Sequence, residues 1–79
     1  MSDRWLKCLV QKGMFSDECV IVIKTSGGEP FSAFVPKSTV ERSDRVKVRV
    51  FEQTGQSWAI LPNEDQSIVD VQPSELIVL

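Results

Sequence analysis

The sequence predicts a small all-β domain, a partly open barrel of about five to seven short antiparallel strands with one 3₁₀ turn before the last strand. Three observations lead there. Apolar and polar residues alternate with a period of two along most of the chain, and no stretch sustains a period of 3.6. Glycine, proline and small polar residues interrupt that alternation every few residues, at the spacing of tight turns. The whole chain is 79 residues, short of the roughly 100 that an immunoglobulin-type sandwich uses. Residues 1–79 read as a single domain without linker, repeat or low-complexity segment.

The elements follow in order. Arg4 to Val10 reads as a first strand, with Trp5, Lys7 and Leu9 on one face and Leu6, Cys8 and Val10 on the other. Gln11-Lys12-Gly13 opens a turn that Phe15-Ser16-Asp17 completes. Glu18 to Thr25 is the second strand, rich in the β-branched residues that suit a pleated surface. Ser26-Gly27-Gly28-Glu29-Pro30 turns the chain, its glycines supplying positive φ. Phe31 to Val35 is a third strand, ended by Pro36, which has no N–H to give a ladder. Lys37 to Asp44 is polar and reads as a short helical turn or a loop.

Arg45 to Glu52 carries the clearest alternation, with Val46, Val48 and Val50 inward and Arg45, Lys47, Arg49 and Phe51 outward. Gln53 to Gln56 turns it back into Ser57–Leu61, and Asn63 to Gln66 leads to a sixth strand, Ser67–Val71. Pro73-Ser74-Glu75-Leu76 is a 3₁₀ turn, because proline suits the first position of a helical turn. Ile77-Val78-Leu79 closes the chain as a strand. The run Val69-Asp70-Val71-Gln72-Pro73-Ser74-Glu75-Leu76-Ile77 resembles the close of SH3-like barrels, and an OB-like barrel is the other topology it allows. Peptide recognition of the SH3 type is not implied. The Ala-Leu-Tyr-Asp-Tyr type motif and the tryptophan doublet are both missing, and Trp58 stands alone.

Composition removes much chemistry. The chain has no His, so neither a Ser/His/Asp nor a Cys/His arrangement can be assembled from it. A structural zinc site needs four Cys or His ligands, and only Cys8 and Cys19 are available. No carboxylate pair is placed together by the pattern, so the chain reads as non-enzymatic, without cofactor or metal. The two cysteines form no CxxC motif and read as buried thiols, with a disulfide between them as the alternative. No apolar run approaches the roughly 20 residues of a membrane-spanning helix, and the N-terminus has no secretory pattern. The expected compartment is the cytoplasm.

Two features point to binding. Nine basic residues stand against six acidic ones up to Arg49, and beyond it five acidic residues follow with no basic one. Arg45, Lys47, Arg49 and Phe51 form a basic strand face ending in an aromatic, the pattern that phosphates and bases seek. Against it stand a sequence pI near 5.0 and the alternative role of such charges in preventing edge-to-edge aggregation. The six aromatics (Trp5, Phe15, Phe31, Phe34, Phe51, Trp58) are expected to go mostly into the core. The second feature is apolar surplus, because Cys19–Ile23 and Leu76–Leu79 are apolar on both faces. Either the Lys12–Asp17 loop folds Met14 and Phe15 over the sheet or a partner covers it. The expected function is a protein-docking or self-associating module, a homodimer through Val20, Val22, Ile77 and Leu79. A nucleic-acid-associated barrel using the basic strand face is the alternative.

Overall fold

Two antiparallel sheets share one core of aliphatic side chains in the computed structural model, which describes residues 1–78. The larger sheet has the order β8-β7-β6-β1-β9, formed by β1 (Ser2–Lys7), β6 (Arg45–Gln53), β7 (Gln56–Ile60), β8 (Ile68–Val71) and β9 (Leu76–Val78). A two-residue strand, β5 (Val40–Glu41), pairs with the start of β6. The smaller sheet has the order β2-β3-β4, from β2 (Leu9–Lys12), β3 (Glu18–Lys24) and β4 (Pro30–Pro36). A 3₁₀ turn at Pro73–Glu75 feeds the last strand as expected, and a second lies at Lys37–Thr39. All-β architecture is therefore what the sequence encodes.

Nine strands are described where about five to seven were expected, and the difference has a physical origin. The predicted strand Arg4–Val10 divides at Cys8. Before it the chain pairs with β6 and β9; after it the chain pairs with β3. Between them the Cys8 N–H leaves both ladders and donates to the Asp44 carbonyl at 3.0 Å. The alternation runs through this switch undisturbed, since Leu6 is buried and Cys8 and Val10 pack against the core. Arg42 and Ser43, both at positive φ, make the tight turn that returns β5 into β6.

The core alternates as the valines predict. Val46, Val48 and Val50 of β6 are buried while Lys47 and Arg49 are exposed. Leu6 of β1, Ala59 of β7, Val69 and Val71 of β8, and Ile21 and Ile23 of β3 belong to the same cluster. No aromatic residue joins the fully buried set among the described residues, so the expected aromatic core is corrected. Aliphatic side chains and Cys19 make up the buried cluster, with Phe31 packed against it from the side. The aromatics stay at its margins or on its outer faces.

One cluster of hydrogen bonds ties the smaller sheet to the larger. At the β3–β4 turn, Ser26 donates its N–H to the Asp70 carbonyl at 2.9 Å and its hydroxyl to the Asp70 carboxylate. Gln56 and Gln72 donate to the Ser26 hydroxyl and carbonyl, each at 3.2 Å. Within the smaller sheet, the Lys37 N–H donates to the Asp17 carbonyl at 2.8 Å and continues the β3–β4 ladder past the Glu18–Pro36 pair. Between β2 and β3 the backbone passes so close to itself that only glycine fits. A Cβ on Gly13 would lie 2.6 Å from the Glu18 carbonyl oxygen.

Candidate interaction surfaces

Strand register decides which side chains share a face. On the outer side of the larger sheet, Lys7 lies opposite Arg45, Trp5 opposite Lys47, and Asp3 opposite Arg49. Across the other edge of β6, Arg49 faces Ile60 and Phe51 faces Trp58. Ile77 sits beside Trp5 from β9, and Asp70 beside Trp58 from β8. The predicted residues Arg45, Lys47, Arg49 and Phe51 thus share one face, and the structure adds both tryptophans to it. Sequence reasoning missed that addition, because it depends on pairing between strands far apart in the chain. Parity within each strand held part of the signal: Leu6 and Ala59 point inward, so Trp5 and Trp58 point outward.

The charges on this face differ in their engagement. Arg45 is taken up by Asp44, with Nε 3.0 Å from Oδ1. Lys7, Lys47 and Arg49 make no ion pair among the described residues. Asp70, the acid beside Trp58, already accepts the Ser26 hydroxyl. A groove of about 310 Å³ borders the row, and its lining includes Asp3, Lys47, Arg49, Ile60, Asn63 and Gln66. Trp58 is half-buried, and its Nε1 has no hydrogen-bond partner among the described residues.

The outer face of the smaller sheet is of another kind. Leu9 lies opposite Val22, and Val20 opposite Phe34 and Gln11. Leu9 is 67% exposed and Phe34 56%, with Val20 and Val22 half-buried between them. The Lys12–Asp17 loop does not cover this surface as one reading of the sequence had it. Met14 and Phe15 instead stand in solvent, 83% and 64% exposed. Of the other expected interface residues, Ile77 lies on the larger sheet beside Trp5, apart from Val20 and Val22. Leu79 lies outside the described residues.

No family model, curated protein or solved structure matches this chain. Its chemistry therefore rests on the residues themselves. No cluster of three or more His, Cys, Asp or Glu side chains arranged to hold a metal occurs among the described residues. No helix is long and apolar enough to cross a membrane among them.

Both cysteines are free thiols, and in the ladder Cys19 lies opposite Lys12 rather than opposite Cys8. Burial raises the Cys8 pKa from the ordinary 9.0 to about 11, with the nearby Cys19 and Asp44 adding to the rise. Burial also raises that of Cys19, against the lowering influence of the Lys37 ammonium, while Glu18 adds to the rise. A thiol whose folded pKa lies above its unfolded value favours folding below the unfolded value, here 9.0. That contribution is lost as pH climbs toward 11. Native labelling by a thiol reagent at neutral pH is expected to be slow, with denaturant releasing both thiols. Fast labelling of the native protein would contradict the burial of both.

Proposed function

We propose that this chain is a non-catalytic interaction module on an SH3-like barrel, self-associating through the outer face of its smaller sheet. The strand order supports the barrel reading: β1 sits between β6 and β9, and the 3₁₀ turn at Pro73–Glu75 leads into β9. The observation that carries the functional reading is the contiguous apolar surface of Leu9, Val20, Val22 and Phe34. Such a surface on a domain of this size marks an interface rather than a solvated face. A second copy is its simplest occupant. A two-fold axis brings such a patch against its own copy without opposing charges, and small folds gain from oligomerisation what their cores lack.

Sedimentation velocity tests this. At about 0.1 mM the protein is expected to run as a dimer, the range where modest apolar interfaces hold. Val20→Lys and Phe34→Ser, both on the solvent side, are expected to give folded monomers. A clean monomer for the unmodified chain would remove the reading.

A further inference from the structure

We infer that the outer face of the larger sheet is a second, independent binding surface whose ligand is single-stranded nucleic acid. The argument begins with what the fold does to residues distant in sequence. It sets Trp5 directly across from Lys47, and Phe51 directly across from Trp58, with Arg49 between the two pairs along β6. Lys7 extends the basic row at one end. The result is a surface on which aromatic rings and unpaired cations alternate.

That alternation matches one class of polymer. A single strand presents a phosphate and an unstacked base at every step, so it needs charge and a π-face in turn. An acidic peptide would use Lys7, Lys47 and Arg49 but has nothing to lay on Trp5 or Trp58. A duplex keeps its bases stacked away from aromatic side chains and would meet only the charges. The groove beside Lys47 and Arg49, about 310 Å³, is at the lower end of the size that holds a small ligand. Gln66 on its wall is of the type that contacts phosphate oxygens and base edges, while the Asn63 amide is held by Ser67. Asp3 opposes the charge argument from its place across from Arg49 and limits the affinity. Glu41 faces Arg45, which Asp44 already engages. The overall charge of −2 does not decide the matter, because screening confines each charge to within about 10 Å at ordinary salt.

The sequence supplies its own probe. With no Tyr in the chain, intrinsic fluorescence comes from Trp5 and Trp58, and both lie on this face. Titration with a thymidine decamer and a uridine decamer is expected to quench that emission to saturation. The dissociation constant should fall in the ~10⁻⁴ to 10⁻⁶ M range of non-specific binding. Two or three phosphate contacts give a salt slope of about −1.4 to −2.1, so affinity should drop roughly tenfold between about 50 and 200 mM salt. Lys47→Glu combined with Arg49→Glu changes only exposed side chains and should abolish the quench while the protein stays folded by circular dichroism. Trp5→Phe and Trp58→Phe, taken singly, should each retain part of it. Val20→Lys, on the other sheet, should leave it unchanged whatever it does to the dimer.

No quench at about 0.1 mM oligonucleotide, the weak limit of such binding, would overturn the inference. So would an equal response to polyaspartate of matched charge, which would make the face a docking site for acidic protein. Persistence of the quench in the charge-reversed variant would overturn it as well.

Discussion

Val48→Asp is expected to leave no folded protein. Val48 is 2% exposed at the centre of β6, with Val46 and Val50 on the same face. Even with the half-buried Arg4 across the ladder, a carboxylate there is desolvated among aliphatic side chains and must either lose its charge or drag the guanidinium and water into the core. Either route costs several kcal/mol. A domain this small has only about 3–5 kcal/mol from its core to lose. The neighbouring substitution Lys47→Ala provides the contrast, since its side chain lies in solvent and its loss should cost less than about 0.5 kcal/mol. Circular dichroism and urea melts read both. A folded Val48→Asp beside an unfolded Lys47→Ala would reverse the assignment of the two faces of β6.

Leu6→Ala is the second large loss. Leu6 is fully buried, and its backbone pairs with Val46 on one side and Leu76 on the other. Removing its side chain leaves a cavity at the point where three strands of the larger sheet meet, next to the Cys8 switch into the smaller one. Close-packed neighbours on all sides cannot collapse into that space, so about 2–5 kcal/mol is expected. In a protein of this size the variant should be largely unfolded at 37 °C, and Leu6→Ile should restore much of the loss. A midpoint in urea unchanged by Leu6→Ala would mean that β1 contributes little to the core.

What was legible in the sequence depended on the distance over which each signal acts. Alternation is local, so the inward Val46, Val48 and Val50 and the outward Lys47 and Arg49 could be read directly. Turn chemistry is local too, and the chain turns between Ser26 and Pro30 as expected, although only Gly28 of its two glycines takes positive φ. The division of the first strand was hidden, because Cys8 changes pairing partners without changing the parity of its neighbours. The aromatic-lined face was hidden for a related reason. Nothing between Trp5 and Lys47 in the chain announces that they are cross-strand neighbours. Val20 and Val22 were readable as surplus apolar residues, but their separation from Ile77 became visible only once the strands had been sorted into two sheets.

The position of β1 also shapes how the domain reaches its native state. Strands β2 to β4 pair with sequence neighbours, and so do β6 to β8; each group can assemble as a meander by closing short loops. Strand β1 has no such neighbour. Ser2 pairs with Val50 and Arg4 with Val78, almost the full length of the described chain away. Contacts of that span slow closure, since the intervening chain must be ordered before they repay anything. On the ribosome the delay has a direction. β1 is made before either of its partners, so Trp5 and Leu6 stay uncovered until β6 and then β9 have emerged, and during that interval β1 is the segment most open to misplaced pairing.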